Sequence, residues 1–384
     1  MMKLAVNISF LVLLFAFSLN HLFHIVHKED TSENRKLAEK PKLDINQLDP
    51  YPNAYNDYFN DHFAGRNYLI DIYEWLNNSV YQKKTSRGKY IRGNDNYVFE
   101  TSKNLPVYTG KKTISNEQLE RMALEFQKRK EYFNNNGMEM YILIIPSKYK
   151  VLSEKLPMLI RKGSQNMGDR FIEYFKANTN IAVIDGLPIL KEKGKIDPVF
   201  LKYDTHWNQL GAFYVYQELV QSIYADMGIS QSMDTSLFTF ESYDKEGGNM
   251  KNAAVDQSDF DFGYRISPKN MTFKKDSGYR HHDPDFRYGD FEFCRRFKSS
   301  NSDFPKAIIF RDSFGNTSLS FLPEVFSETV YIWDDWQYKF NKEIIDIEKP
   351  DVVIYSIYET YIDRLLQEPS FVEPDIEQDK EDVQ

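Results

Sequence analysis

The chain has 384 residues, 41% of them hydrophobic and 15% aromatic, enough to bury one large core or two modest ones. Its formal net charge of -9 argues against wholesale binding to nucleic acid, which needs a basic footprint. The single cysteine, Cys294, allows neither an intrachain disulfide nor a cysteine-rich zinc site, and reads as a passive, half-buried residue.

Lys3 precedes an apolar run from Leu4 to Val26, broken by Asn7, Ser9, Asn20, His21 and His24. Such a run spans a hydrocarbon core of about 30 Å, which takes roughly 20 residues. Its densest part, Phe10–Leu19, also fits a signal peptide, with Ala16-Phe17-Ser18 as a small-x-small cleavage site. The favoured reading is an uncleaved membrane anchor over residues 1–27; either way the rest of the chain is exported and extracytoplasmic. Residues 28–50 are charged and aperiodic, a linker leaving the membrane.

From Tyr51 the pattern is helical, with Tyr55, Tyr58, Phe59, Phe63, Leu69, Ile72, Tyr73 and Leu76 at spacings of three and four and Gly65 as a break. Gly88–Phe99 places a Gly93-Asn94-Asp95-Asn96 turn between two short strand-like pieces. An amphipathic helix is expected over Ile114–Asn136. Apolar strands are expected at Met140–Pro146, Ile181–Ile184, Ala307–Phe310, Thr329–Trp333 and Asp351–Ile357. Five such strands alternating with amphipathic helices predict a parallel sheet of about five strands covered on both faces, a three-layer α/β/α domain over residues 51–366. Residues 238–302 read as an irregular insertion beside the active site, and the acidic tail, 367–384, as disordered.

Two stretches carry chemistry. In AIIFRDSFGN, Ala307–Asn316, a buried strand turns sharply into a helix-like segment with Ser313 at the bend. That is the carboxyl edge of an α/β sheet and the geometry of a nucleophile elbow, although serine is equally a favoured helix cap. In YDTHWNQLG, Tyr203–Gly211, Asp204 and His206 stand two apart on an extended segment, so both side chains point the same way. A hydroxyl needs a base, and a carboxylate on Nδ1–H fixes the imidazole tautomer with Nε2 facing the cleft. Competing readings make Asp204 or Thr205 the cap of the next helix, His206-Trp207 a packing pair, or Asp-x-His a metal site completed by His281-His282-Asp283-x-Asp285; the balance favours no metal.

Together the two stretches resemble the SGNH-hydrolase-like domain of the alginate O-acetyltransferase AlgX/AlgJ family. FNDHFAGR (Phe59–Arg66), IRGNDNYVF (Ile91–Phe99), IPSKYKVLSEKLP (Ile145–Pro157) and KPDVVIYSIYETYI (Lys349–Ile362) fit the same pattern in order. The resemblance covers Tyr51 to Leu366 and implies a serine-dependent SGNH-type O-acetyltransferase, without cofactor, in which aspartate and histidine precede the serine. By motif match Asp204, His206 and Ser313 take the triad roles, with acetyl passing through an acyl-serine to hydroxyls of a cell-surface or secreted polysaccharide. A membrane-bound O-acyltransferase is the implied acetyl donor. A glycan acetylesterase with the same triad and a catalytically silent glycan-binding scaffold are the rival readings.

The sequence departs from the family pattern at Arg311, where many SGNH members carry glycine; it is taken as a substrate-steering or packing residue. The Ser313 N–H is the first oxyanion donor, with Gly248, Asn249 and Asn316 as further candidates. Lys148 is expected at the same sheet edge or in an ion pair with Glu359, and Tyr149 and Arg66 lie in motif-like stretches. Trp207, Trp336 and Tyr338 are candidate sugar-stacking residues, whereas Trp333 continues an apolar strand and is expected to pack.

Overall fold

The computed structural model describes residues 15, 38–43, 49–62, 89–253, 258–279 and 294–372. The chain divides into two compact units, Met1–Lys84 and Thr85–Gln384. The anchor over residues 1–27 lies outside the described residues except for Phe15, as do Arg66 and the His281–Asp285 tract. Among the described residues no helix is long and apolar enough to cross a membrane. In the first unit a helix runs over Pro50–His62, opening on a proline whose fixed φ suits a first turn. Tyr51, Tyr55, Tyr58 and His62 follow one another along one side at spacings of three and four, their rings 5.7, 6.1 and 4.5 Å apart.

The second unit is built on strands β1 (Tyr90–Arg92), β2 (Val98–Glu100), β3 (Glu139–Ile145), β4 (Ala182–Asp185), β5 (Phe238–Lys245), β6 (Asp261–Pro268), β7 (Phe273–Asp276), β8 (Cys294–Ser299), β9 (Lys306–Arg311), β10 (Glu328–Trp333) and β11 (Val352–Tyr358). β1 and β2 form the expected small hairpin. The central sheet has the order β4-β3-β11-β9-β10-β8-β7. Its first five strands are parallel and are the five apolar runs of the sequence. β8 and β7 extend it antiparallel to seven strands, so the sheet is mixed.

Those two strands come from the region expected to be irregular, as does a second hairpin, β5–β6. The alternation was hidden because β7, FKKD, and β8, CRRFKS, carry charge on a solvent-facing side and few apolar residues. Cys294, opening β8, is fully buried and not half-buried, and burial raises its thiol pKa to about 12. It is inert, as a nucleophilic thiol needs the opposite shift.

Alternate residues of each parallel strand serve opposite cores. Tyr141, Leu143, Ile145, Ile309 and Ile354 face one cluster that takes in the Gln209–Asp226 helix. Met140, Ile142, Ile144, Ile308, Phe310 and Val353 face the other, against the Asn116–Asn135 and Met167–Asn178 helices. That double coverage is the α/β/α sandwich and explains why these strands read as continuous apolar runs. The Asn116–Asn135 helix starts on a capping box, with Ser115 accepting from the Gln118 N–H and Gln118 answering on the Ser115 N–H. Inside it, Glu125 and Arg129 form an ion pair at 2.8 Å with both side chains 0% exposed.

The tail is ordered further than expected. The Ser370 and Phe371 N–H groups donate to the Glu125 carboxylate at 3.0 and 2.7 Å, and Phe371 packs on Phe340. Residues 373–384 lie outside the described residues.

Candidate active site

Two loops meet at the carboxyl edge of the parallel strands. β9 ends at Arg311, Asp312 continues in extended conformation, and a short 3-10 turn runs over Ser313–Ser318. Asp312, not Ser313, caps that turn: its Oδ1 accepts from the Phe314 N–H at 2.8 Å. Gly315 lets the turn fold back on the strand, since a Cβ there would stand 2.7 Å from Arg311 Cδ.

The second loop, before the Gln209–Asp226 helix, is pinned on itself. Leu201 N–H donates to the His206 carbonyl, and Asn208 N–H to the Val199 carbonyl. Asn208 is the helix cap, accepting from Gly211 N–H at 2.9 Å, which leaves Asp204 and Thr205 free of that duty. Asp204 folds over His206 instead. Its Oδ1 accepts from His206 N–H at 3.1 Å and lies 2.6 Å from the ring Nδ1. The ring Nε2 is 2.8 Å from Ser313 Oγ.

Asp, His and Ser thus stand in line, half-buried, on two loops joined by nothing local in sequence. With Asp204 accepting from Nδ1–H, Nε2 is left as the acceptor facing the serine hydroxyl. Burial pushes the Asp204 pKa up, but the hydrogen bonds and charge of His206, helped by Lys245, outweigh it and bring it to about 2. The carboxylate is therefore ionised across the working pH range.

The two loops are bolted together by groups the sequence assigned elsewhere. Trp207 is fully buried; its indole N–H donates to the Phe314 carbonyl at 3.1 Å and to Thr317 Oγ1 at 2.7 Å. It holds the histidine loop to the serine turn and presents no face to a sugar. Phe314 lies against the His206 ring at 4.6 Å and stacks on Tyr358 at 4.3 Å, so the imidazole is held from the side. Phe314 was missed because one aromatic after a serine carries no signal of its own.

Arg311 is 0% exposed, its guanidinium 4.5 Å from the Trp333 ring and Nη1 on the Asp312 carbonyl. It is enclosed beneath the turn, against Gly315 and the Trp333 ring, and has no exposed surface to offer a substrate. Burial lowers its pKa to about 10. Trp333 is half-buried, as its strand position implies, while Tyr338, expected to be exposed, is fully buried. Tyr338 sits at φ 46, a left-handed conformation that turns its ring inward, and its hydroxyl donates to Asp312 Oδ2 at 3.1 Å. Trp336 is half-buried.

Glu359 accepts from Ser147 N–H and pairs with Lys150 at 2.9 Å, not with Lys148. Lys148 is 3% exposed, below the cleft rather than in it. Tyr149 is buried, its hydroxyl on the Glu100 carbonyl. Asn249 is exposed and donates to Thr205 Oγ1 at 3.4 Å. It comes that close because Gly248, at φ +128, leaves the Tyr203 carbonyl room that a Cβ would fill at 2.3 Å.

Asp312 is a second carboxylate at the site, entirely buried beneath Ser313. Its Oδ2 also accepts from the Tyr358 N–H at 2.7 Å. Burial raises its pKa to about 6, the donors pulling the other way. With the ordinary value at 3.8, the stability tied to its protonation is whole below about pH 4 and lost as pH rises through about 6. Asp312→Asn puts an NH₂ against donors on one side. We expect a loss of about 1–3 kcal/mol in urea denaturation, a flatter stability profile between those pH values, and slower turnover at the displaced Ser313.

A cleft of about 280 Å³ opens on these three residues, with Asp204, His206, Ser313, Asn316 and Thr317 lining one side. Tyr243, Lys245, Gly263 and Tyr264 of the β5–β6 hairpin form the other. Tyr243 is 41% exposed, and its ring lies so close over Gly263 that a Cβ there would meet it at 2.4 Å. A larger cleft, about 510 Å³, sits at the opposite edge of the sheet among Lys130, Tyr141, Lys176 and Asp226, away from Ser313 and His206.

Residues 91–277 match the family model of the SGNH hydrolase-like domain of the acetyltransferase AlgX. The match takes in Asp204 and His206 and ends before Ser313. No curated protein matches the chain. Among solved structures, Bacillus cereus PatB1 aligns at 18% identity over 69% of this chain and 94% of its own, with a TM-score of 0.52. PatB1 with a sulfonyl adduct aligns at 16% over 71% and 94%, TM-score 0.53. The O-acetyltransferase domain of Pseudomonas putida AlgJ aligns at 15% over 71% and 91%, TM-score 0.47. At these identities the PatB1 likeness is one of fold.

Proposed function

From the premise that this chain carries an AlgX-type SGNH hydrolase-like domain, we propose that it is a serine-dependent O-acetyltransferase acting on hydroxyls of a polysaccharide outside the cytoplasm. The observation that carries the reading is the in-line relay, 2.6 Å from Asp204 to Nδ1 and 2.8 Å from Nε2 to Ser313 Oγ, at the mouth of a cleft.

Ser313 Oγ attacks the acetyl carbonyl carbon of the donor while His206 Nε2 takes its proton. The tetrahedral oxyanion collapses, the donor's leaving group departs with the proton from His206, and an acetyl-serine remains. An acceptor hydroxyl then repeats the sequence in reverse roles: it gives its proton to His206, forms the new ester bond and releases Ser313. Asp204 holds the imidazole tautomer and stabilises the imidazolium throughout. The Ser313 N–H and the Asn316 side chain are the oxyanion donors we assign, and no cofactor is called for. The donor is a membrane-bound O-acyltransferase, and residues 1–27 tether the domain beside it.

Tyr243 and Tyr264, rather than the tryptophans, are the aromatic faces available to a sugar ring in the cleft. Tyr243→Ala should raise KM for an oligosaccharide acceptor by about three- to tenfold, the worth of one ring contact, in initial-rate measurements.

The test is turnover of a chromogenic acetyl ester with and without an oligosaccharide acceptor, products read by mass. Acetylated sugar is the expected product. Hydrolysis at full rate with no acetylated sugar reassigns the protein as an acetylesterase, and no turnover with either makes it a scaffold.

A further inference from the structure

Lys148 opens the short turn that follows β3, and its ammonium is enclosed beneath the histidine loop. Nζ lies 2.7 Å from the Val98 carbonyl, 2.7 Å from the Lys202 carbonyl and 3.1 Å from the Asp204 carbonyl. Three acceptors from two segments meet three N–H donors, which only the protonated amine possesses. One of the three acceptors is the main chain of Asp204 itself.

We propose that Lys148 is a positioning residue: its ammonium fixes the Asp204 backbone so that the Asp204 carboxylate meets His206, and the relay works only while that amine is charged. The inference rests on the reading of Asp204, His206 and Ser313 as a triad.

The surroundings bear on the charge from every side. The Tyr97 and Phe99 rings of the β1–β2 hairpin lie 5.3 and 5.2 Å from Nζ, an apolar cover with a weak pull on a cation. Asp204 on the histidine loop and Asp261 on β6 favour the charged form. Asp261 also accepts from the Lys202 and Tyr203 N–H groups at 2.7 and 2.9 Å, so it grips the same loop from the other side. The Lys202 ammonium points to Asp259. Burial outweighs the two carboxylates and brings the Lys148 pKa down to about 7. Loss of the proton leaves two N–H groups and a lone pair against three carbonyl oxygens, and one attraction becomes a repulsion.

The experiment follows the rate at which a serine-directed sulfonyl fluoride labels Ser313 in the full chain, across pH, in wild type and Lys148→Met. The expected result is labelling in wild type that declines above about pH 7, and a variant at least about tenfold slower with that decline gone. Equal labelling rates, or the same alkaline decline in the variant, would overturn the proposal and leave the triad standing. If wild type is not labelled at all, the triad reading falls and this inference with it. Should Lys148→Met fail to fold, the low-field proton resonance of His206 Nδ1–H in wild type decides. A shift or loss between about pH 7 and about pH 9 supports the role of Lys148, and an unmoved signal over that range refutes it.

Discussion

Ser313→Ala should cut turnover of an activated acetyl ester by roughly 10⁴–10⁶-fold, and His206→Ala by nearly as much. The two losses should not add, because a serine without its base and a base without its serine forfeit the same step. Removing both therefore costs little more than removing either, and that shared loss separates a relay from two residues that merely touch. Asp204→Asn should cost roughly 10⁴-fold with folding intact, since the amide leaves the imidazole in the wrong tautomer. Steady-state rates with a chromogenic ester check all three. Near wild-type turnover in Ser313→Ala would remove the nucleophile from the scheme.

The second large effect is on stability and begins far from the cleft. Arg129, on the Asn116–Asn135 helix, pairs with Glu125, lies 4.6 Å over the Phe126 ring, and donates through Nη1 to the Tyr338 carbonyl at 2.6 Å. Tyr338 in turn supports Asp312, and Asp312 supports the turn that carries Ser313. Arg129→Leu leaves the Glu125 carboxylate buried and short of its cation, for which about 3–5 kcal/mol is the usual cost. Glu125→Leu leaves the guanidinium in the same position and frees the Ser370 and Phe371 N–H groups. The double leucine variant should recover much of either loss, because a well-packed apolar pair replaces two desolvated charges. Urea denaturation of the four proteins gives the coupling directly, and strict additivity would deny the pair its role. The single Arg129→Leu variant should also lose activity, through the Tyr338 support.

The Ser313–His206 and Arg129–Tyr338 contacts join residues far apart in the chain, whereas the Glu125–Arg129 pair is one turn of a single helix. The four inner parallel strands were legible as apolar runs because each is buried on both faces and so has no reason to alternate, while β4, at the sheet's edge, is buried only at Val183. Asp204-x-His206 and the Ser313 bend were legible because each is a local arrangement: an extended dipeptide step and a strand ending in a turn. The irregular reading of residues 238–302 failed for the opposite reason. β7 and β8 pair at the sheet's edge with one charged side, and β5 is exposed along most of its length, so their composition is that of a surface.

Polar residues assigned to substrate from their place in a motif fared worst. Arg311, Lys148 and Trp207 each sit beside a catalytic-looking residue, and each is buried, spent on main-chain carbonyls or on a neighbouring ring. Sequence placed Arg311 and Trp207 within two residues of Ser313 and His206, and Lys148 at a strand end, yet strand alternation and loop curvature decide which way a side chain points. A cation beside a serine reads as a substrate contact until its direction is known.

By itself, then, the sequence determined the sheet's inner strands and singled out the Asp204-x-His206 step and the Ser313 bend, since those follow from local hydrophobicity and from residue chemistry at short spacing. Only the tertiary structure decided that Ser313 and His206 meet at 2.8 Å across 107 positions, and that the β5–β6 hairpin walls the cleft. Contacts of that separation depend on how two helical layers pack against one sheet, a sum over many weak burials that no local window records.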